Sequence, residues 1–261
     1  MREALPLLGP GEPFPVRQLN PHGGSDFLLT ADHAGRRIPA SLGTLGLSRG
    51  ELGRHIAWDI GIAGVVRRMA RALDAAALLQ RYSRLVIDCN RQPSVPSAFP
   101  EVSEMTVVPG NRALSPEEKA RRREAIFTPY HDAIAAVIAR RRAAGRRTVY
   151  IAMHSFTPVF KGVARTMHCA VLFNRNPRLS LALAQLLRAE GDLEVGENEP
   201  YRVTDQTDYG VPVHAERGGL DYVEIEIRQD LITTLAGQAA WAERLARLLP
   251  IADQRITEKA A

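Results

Sequence analysis

Histidines follow two of the apolar, strand-like runs in this chain. The run 148–153 leads directly into His154, and the run 27–30 is followed three residues later by His33. Open α/β sheets bind ligands at the carboxyl ends of their strands, so we expect both imidazoles at one edge of a sheet. Two imidazoles placed in this way can bind a divalent metal, and catalytic zinc sites typically use three protein ligands.

The third ligand is less well defined by the sequence. No carboxylate follows His33 at the short spacing of a His-x-x-Glu motif, because Arg36 occupies that position. Asp59, in the segment Ala-Trp-Asp-Ile-Gly, is the candidate, although an aspartate in this context is about as typical of a helix N-cap. A single histidine at a strand end is more often a structural hydrogen-bonding residue than a ligand, and that alternative stays open for each imidazole.

A late apolar run, Tyr222 to Arg228, carries two carboxylates on alternate positions. Glu224 and Glu226 therefore share one face of the predicted strand. Burial between Ile225 and Ile227 would raise the pKa of Glu226 and suit it to act as a general base on an attacking water. Glu224 could take that role or support it. If this is an edge strand, both carboxylates could instead face solvent.

An arginine next to an asparagine is the candidate for binding substrate. Arg91 follows Asn90, and a guanidinium offers a carboxylate two parallel hydrogen bonds. Arg84 is a second candidate, and His214, in a late polar loop, could polarise a leaving group or orient substrate. The alternatives are a surface arginine and an uninvolved loop histidine. Structural roles are predicted for the remaining histidines, His22, His55, His131 and His168.

Strand and helix patterns alternate along the chain, which predicts a single α/β domain. Capping boxes at Ser48 and Ser115 predict helix starts, the second opening a long helix to about Gly145. The predicted strands cover 27–30, 76–80, 85–88, 148–154, 168–173 and 222–227, and further helices cover 179–188 and 231–249. The domain is expected over 26–250, with an extended arm over 1–25 and a tail over 251–261. The long connection 90–114 is predicted to be a lid or binding loop.

The composition excludes several classes of function. The net charge of +5 comes largely from arginine runs on one predicted helix, without interleaved aromatic residues, so we expect a solvated helix face and no nucleic-acid partner. No apolar stretch approaches eighteen residues, which predicts neither a membrane span nor a secretion signal. Cys89 and Cys169 are expected to be buried and reduced, in a cytoplasmic protein.

Taken together, these segments resemble the N-formylglutamate amidohydrolase family. The matching segments are ADHAGRRIP (31–39), HIAWDIGIA (55–63), QRYSRLVIDCNR (80–91), AMHSFTP (152–158), ENEPY (197–201) and VHAERGGLDYVEIEIRQDLI (213–232). The resemblance implies a mixed, mostly parallel sheet sandwiched between helices, in a zinc-exopeptidase-like (phosphorylase/hydrolase-like) fold. It also implies that Asn90-Arg91 resembles the pair that binds a substrate carboxylate in zinc carboxypeptidases, and that Glu226 stands in the triplet that carries their base.

The implied activity is hydrolysis of an N-formyl or other N-acyl amide of an acidic amino acid such as glutamate. One zinc per chain, held by His33, Asp59 and His154, would polarise the amide carbonyl, and Glu226 would move the proton. The partner would be a small acidic molecule, and the resemblance suggests a role in histidine degradation. Two alternatives stay open: another N-acyl amino acid or short peptide at the same site, or a non-catalytic protein that binds acidic ligands. The sequence does not set the oligomeric state.

Overall fold

A computed structural model of the chain describes residues 6–258 and has a seven-stranded sheet at its centre. In chain order the strands are β1 (Val16–Leu19), β2 (Phe27–Ala31), β3 (Ala76–Gln80), β4 (Val102–Ser103), β5 (Thr106–Val107), β6 (Val149–Phe156), β7 (Val159–Phe160), β8 (Val163–Ala164), β9 (Cys169–Leu172), β10 (Val195–Glu197) and β11 (Asp221–Arg228). The sheet order is β1-β3-β2-β6-β11-β9-β10, and β4/β5 and β7/β8 are separate hairpins. Strands β3, β2, β6 and β11 are parallel to one another. At the edges, β1 pairs antiparallel with β3, and β9 pairs antiparallel with β11 but parallel with β10. The predicted mixed, mostly parallel sheet is confirmed.

Helices and loops cover the two faces of the sheet. The helices are α1 (Arg49–Leu52), α2 (Ile62–Ala72), α3 (Pro116–Arg122), α4 (Thr128–Ala143), α5 (Arg178–Ala189) and α6 (Leu235–Glu258). One apolar cluster joins α2, α5 and α6 to one face of the sheet, and a second joins α4 and the long loop after β3 to the other face. Among residues 6–258, no helix is both long and apolar enough to cross a membrane.

Alternation along the central strands decides which side chains meet the loops. In β6, Ile151 and Met153 pack into the cluster with α2, α5 and α6, whereas Tyr150 and Ala152 face the opposite side. His154 continues the second series, because successive side chains of a strand point to opposite faces. At this end of β6 the covering layer is loop rather than helix, which leaves room for a cavity.

Both predicted terminal segments are partly incorporated in the fold. Val16–Leu19, inside the predicted arm 1–25, forms β1 on the edge of the sheet, with Val16 buried against the core. Within the predicted tail 251–261, α6 continues to Glu258 because Ala252 and Ile256 prolong its buried face beyond Pro250. Residues 1–5 and 259–261 lie outside the described residues.

The segment 85–88, predicted as a strand, is instead a buried turn. Leu85, Val86 and Ile87 are almost fully buried, but the Val86 N–H donates to the Ser83 carbonyl at 2.9 Å rather than to a neighbouring strand. A short continuous apolar run predicts burial, and its periodicity cannot distinguish a strand from another buried conformation. The strand prediction was therefore wrong, although the apolar residues of the segment are buried.

Both predicted capping boxes are present. Ser48 caps the short helix α1, and Ser115 caps α3, which continues through a π-helical turn at Arg123–Phe127 into α4. The helix predicted from Ser115 to about Gly145 is therefore confirmed, with one irregular turn inside it.

The arginine run at the end of α4 is bonded within the protein rather than merely solvated. Arg141 is buried, and its guanidinium donates to the carbonyls of Asp26 and Phe27 at 2.8 and 3.1 Å. Arg147 donates to Asp253 and Asp221 at 2.6 and 2.9 Å. These side chains hold the segment before β2 and the end of α6 in place, so much of the basic charge here serves the fold.

Candidate metal and substrate site

A cavity of about 390 Å³ opens at the carboxyl edge of the parallel strands, on the face that the loops cover. Every predicted site residue except His214 lines it: His33, Asp59, Arg84, Asn90, Arg91, His154, Glu224 and Glu226. The chain thus brings together side chains that are more than 190 positions apart in sequence. The expected convergence at one sheet edge is what the structure has.

His33, Asp59 and His154 form a compact, buried group at the bottom of this cavity. Each offers a ligand atom, and these atoms lie within 4.8 Å of one another. Asp59 Oδ2 lies 3.6 Å from His33 Nδ1 and 3.1 Å from His154 Nδ1, so one carboxylate oxygen faces both imidazoles. The two rings meet edge to face with centroids 5.0 Å apart. Two imidazole nitrogens and a carboxylate oxygen are a donor set that suits zinc and several other divalent ions.

Two further observations fit a cation at this group. The Nδ1 atom of His33 is buried and has no hydrogen-bond partner among the described residues, which is costly unless something else binds it. Burial lowers the pKa of His154, yet the hydrogen bond to Asp59 and the Glu224 carboxylate outweigh burial and raise the pKa well above its usual value. An environment that favours a proton on this ring is negative, and it favours a metal cation for the same reason.

Asp88 supports His33 from behind, a role that the sequence did not reveal. Asp88 Oδ1 lies 2.7 Å from His33 Nε2 and accepts its N–H, which directs the Nδ1 lone pair into the group. Arg84 binds the other oxygen of Asp88, with contacts of 2.6 and 3.0 Å. Burial raises the pKa of Asp88, but the charges of Arg84 and Arg91 and the contact with His33 together outweigh burial and hold the pKa well below its usual range.

The position of Asp59 depends on the turn before α2. The Asp59 N–H donates to the His33 carbonyl at 2.9 Å, and Asp59 Oδ2 accepts the Ser155 N–H at 3.1 Å. Gly61 follows with φ 84°, and a Cβ there would lie 2.2 Å from the Ile232 carbonyl oxygen, so glycine is required. No side chain caps α2. The N-cap alternative for Asp59 therefore does not apply.

Glu224 and Glu226 face into the cavity rather than solvent. They are 4% and 6% exposed, and β11 pairs with β6 so that Glu226 lies opposite His154. Burial raises the pKa of Glu224 to about 7 and that of Glu226 to about 8, and the Glu224 charge adds to the second shift. The Oε2 atom of each has no partner among the described residues. Two carboxyl groups are thus poised to exchange protons near neutral pH.

Asp32 is another buried carboxylate that the sequence did not mark. Its Oδ1 accepts from the Tyr130 hydroxyl at 2.6 Å, and its Oδ2 lies 3.9 Å from His154 Nε2. Burial raises the pKa of Asp32. The ring of His154 therefore lies between two aspartates, Asp32 and Asp59.

The predicted substrate-binding residues are in the cavity wall, but most are already bonded. Arg84 is committed to Asp88, and Arg91 Nη1 donates to Asp208 Oδ1 at 3.0 Å. Asn90 Oδ1 accepts the Gly210 N–H at 3.0 Å, which ties together the two long loops of the chain. Arg91 remains about one quarter exposed, so only part of its guanidinium is occupied.

His214 is not brought to the cavity. It lies in a π-helical turn, Val211–Glu216, with His214 Nε2 2.9 Å from Nδ1 of His131. Nε2 of His131 in turn donates to the Cys89 carbonyl, and burial lowers the pKa of His214 to about 4. The pair supports the loop that carries Asn90 and Arg91. The ring of His214 packs against His131, Tyr150 and Tyr209 behind the site, so in this geometry His214 does not reach a bound substrate.

Comparison with known proteins identifies the family of this chain. The family model of N-formylglutamate amidohydrolase matches residues 25–233. This chain belongs to the N-formylglutamate amidohydrolase family. A gene product of Agrobacterium tumefaciens of solved structure is 40% identical, with 96% of this chain and 99% of that chain covered and a TM-score of 0.92. The N-formylglutamate amidohydrolase of Ralstonia eutropha JMP134 shares the fold at 20% identity, with 92% and 98% covered and a TM-score of 0.69. No curated protein sequence matches this chain.

Other walls of the cavity in this family member come from residues that the sequence did not single out. His55 and Glu104 line one side, 3.4 Å apart between His55 Nε2 and Glu104 Oε2, although a structural role was predicted for His55. Tyr201 and Arg202 line the wall formed by the second long loop. Only the ENEPY segment pointed towards this wall, because loop residues carry no periodicity that would show which of them face a cavity.

Proposed function

We propose that this chain is a metal-dependent amidohydrolase that cleaves the N-formyl, or another small N-acyl, group from an acidic amino acid such as N-formyl-L-glutamate. The observation that carries the proposal is the buried group of two imidazoles and a carboxylate beneath an open cavity, with raised-pKa carboxyl groups next to it. Membership of the family supports the same reaction class.

His33, Asp59 and His154 would hold the metal, with His33 and His154 each using Nδ1 and Asp59 using Oδ2. A divalent metal bound there supplies Lewis-acid polarisation of the amide carbonyl and lowers the pKa of water. Asp88 keeps His33 in the tautomer whose Nδ1 can bind a cation.

Glu226 is the proposed base. Its unpartnered Oε2 would accept the proton of the attacking water and pass it to the nitrogen of the leaving amine, so that a neutral amino group departs. A carboxyl pKa of about 8, raised by burial, matches proton transfer near neutral pH more closely than an ordinary carboxylate does. Glu224 shares the strand face and adds negative charge that helps to set this pKa.

Arg91 is the proposed contact for the α-carboxylate, which is next to the scissile amide in any N-acyl amino acid. Its guanidinium is fixed by Asp208 yet remains partly exposed to the cavity. A fixed arginine positions a substrate without losing much side-chain freedom on binding.

The decisive experiment is metal analysis combined with a substrate screen. The wild-type chain should bind about one zinc per molecule and release formate from N-formyl-L-glutamate. His33→Ala and His154→Ala should lose both metal and activity while circular dichroism shows a folded protein. An active His154→Ala protein would refute the scheme. Activity on N-acetyl amino acids or dipeptides alone would keep the metal site and change the substrate, and tight binding without turnover would indicate a non-catalytic protein.

A further inference from the structure

Three arginines line the cavity, and they differ in what they already bind. Arg84 is paired with Asp88 at 2.6 Å, and Arg91 is paired with Asp208 at 3.0 Å. The guanidinium of Arg202, which is exposed at the cavity wall, makes no hydrogen bond or ion pair with any residue in 6–258. It is therefore the cavity arginine whose charge no carboxylate of the described chain balances.

The loop that carries this arginine is held at its far end by the Asn90-Arg91 pair. Asp208 accepts from Arg91 through Oδ1 and from the Thr204 N–H, at 2.8 Å, through Oδ2. Asn90 accepts the Gly210 N–H two residues further on. Two residues that resemble a substrate-binding pair thus also position a neighbouring loop.

The residue before Arg202 is fixed as well. The Tyr201 hydroxyl accepts a hydrogen bond of 2.9 Å from Arg165, whose guanidinium lies 5.0 Å from the centre of the Tyr201 ring and 4.7 Å from that of Phe160. Stacking of this kind restricts the loop at Tyr201. With Tyr201 and Asp208 both held, the chain presents Arg202 to the cavity from a supported segment.

The cavity is lined by many carboxyl groups, so an arginine without an acidic partner matters for the binding of an acidic substrate. The carboxylates that line the cavity are Asp59, Asp88, Glu104, Asp208, Glu224 and Glu226. An acidic substrate that enters is repelled by the ionised members of this set, and an arginine paired with one of them has fewer N–H donors left for a second carboxylate. A guanidinium without a partner can instead give a carboxylate two charge-assisted hydrogen bonds.

We propose that Arg202 binds the side-chain carboxylate of the substrate and so selects N-acyl derivatives of acidic amino acids. The inference rests on the proposed function. The α-carboxylate is bonded next to the amide and must stay near the metal group and Arg91, whereas the side-chain carboxylate reaches further out. Arg202 is exposed, whereas Arg91 is largely buried. The more exposed position of Arg202 suits the side-chain carboxylate, which lies further from the metal group than the α-carboxylate does.

The test compares two substrates that differ only at the side-chain end, N-formyl-L-glutamate and its uncharged counterpart N-formyl-L-glutamine. With the zinc-loaded full chain, Arg202→Gln should lower kcat/KM for the glutamate substrate roughly 10- to 100-fold, mainly through KM. For the glutamine substrate it should change kcat/KM by less than about threefold, within the variation of surface substitutions. Arg202→Lys should recover part of the loss, because lysine keeps the charge without the planar fork.

Arg71→Gln is the matched control, since Arg71 is exposed on the last turn of α2 and does not line the cavity. It should leave both substrates unaffected. An equal loss on both substrates in Arg202→Gln, or no loss on either, would overturn the proposal.

A binding measurement separates this proposal from the proposed function. Calorimetric titration of the metal-free chain with each N-formyl amino acid reports affinity whether or not turnover occurs. If the wild type cleaves neither these substrates nor any other N-acyl amino acid in the screen, the proposed function fails. The assignment of Arg202 is then still supported if Arg202→Gln weakens the binding of N-formyl-L-glutamate and leaves that of N-formyl-L-glutamine unchanged. It is overturned if Arg202→Gln changes neither affinity, or if the wild-type chain binds neither molecule.

Discussion

The two ends of strand β6 both carry charged and polar groups, but these groups are satisfied in opposite ways. Before the strand begins, Arg147 donates to Asp253 and Asp221, and nearby Arg141 donates to backbone carbonyls. Where the strand ends, buried atoms lack hydrogen-bond partners within residues 6–258. These atoms are Asp32 Oδ2, His33 Nδ1, His154 Nε2, Glu224 Oε2 and Glu226 Oε2.

The difference separates groups that stabilise the fold from groups that are kept for a ligand. A buried polar atom without a partner costs free energy, so a set of them in one cavity indicates a function that offsets the cost. Arginines bonded on every side offer nothing to a ligand. Substitutions at the two ends of β6 should therefore have crossed effects, on activity at the carboxyl end and on stability at the amino end.

Glu226→Gln should give the largest effect. Loss of the base should lower kcat on N-formyl-L-glutamate by roughly 10²- to 10⁴-fold, while zinc content stays at the wild-type value. The free energy of unfolding should not fall, because glutamine avoids burying a carboxylate. Steady-state kinetics, metal analysis and urea denaturation measure the three quantities. Full activity in Glu226→Gln together with an inactive Glu224→Gln would move the base to Glu224.

The metal-free protein should lose stability as pH rises. The pKa of Glu226 is about 8 in the folded protein against an ordinary value of 4.5, so folding favours the protonated carboxyl. The stabilisation is fully present below the unfolded value and is lost as the pH rises through about 8. Urea denaturation in EDTA between pH 5 and 9 should therefore show a decline of a few kcal/mol at most. Glu226→Gln should flatten this decline, and an unchanged decline would show that Glu226 is not its source.

Asp88→Asn tests the support behind the metal group. The neutral amide of asparagine replaces the charged carboxylate that accepts the His33 N–H, so the hydrogen bond that orients His33 becomes weaker. Zinc affinity should therefore fall about 10- to 100-fold. Competition with a chromogenic chelator measures the affinity. Asp253→Asn, which alters a carboxylate at the amino end, is the control and should leave zinc affinity unchanged. Equal affinities in all three proteins would contradict a supporting role for Asp88.

Arg147→Ala should have the smallest effect and the opposite character. Its guanidinium is about one third exposed, so the loss in unfolding free energy should be about 1 kcal/mol. The kcat/KM of the folded fraction should remain at the wild-type value. If Arg147→Ala lost activity without losing stability, the amino end of β6 would not be the purely stabilising region described above.

Much of the candidate site could be predicted from the sequence because strand ends and apolar runs are local patterns. The runs into His154 and towards His33 predicted two buried strands, and the spacing of Glu224 and Glu226 predicted a shared face. Parallel strands place their carboxyl ends together, so these residues were expected to meet, and all four line the cavity. The capping boxes fixed two helix starts for the same reason, since their hydrogen bonds span only three residues.

Other assignments depended on contacts that no local pattern contains. Asp59 is a candidate ligand rather than an N-cap because the turn at Gly61 packs against Ile232, far away in sequence. Asp88 supports His33 because 85–88 folds as a buried turn, where its apolar residues had predicted a strand.

The sequence alone therefore determined the fold class, most of the candidate site residues and the reaction class that their types suit. The tertiary structure decided which of those side chains have free atoms. The sequence offered both Arg91 and His214 as candidates for substrate contact. In the structure Arg91 pairs with Asp208 but stays partly exposed in the cavity wall, whereas His214 bonds to His131 and does not line the cavity. Periodicity reports burial and direction along one element, whereas the partner of a polar atom is set by the packing of distant elements against one another.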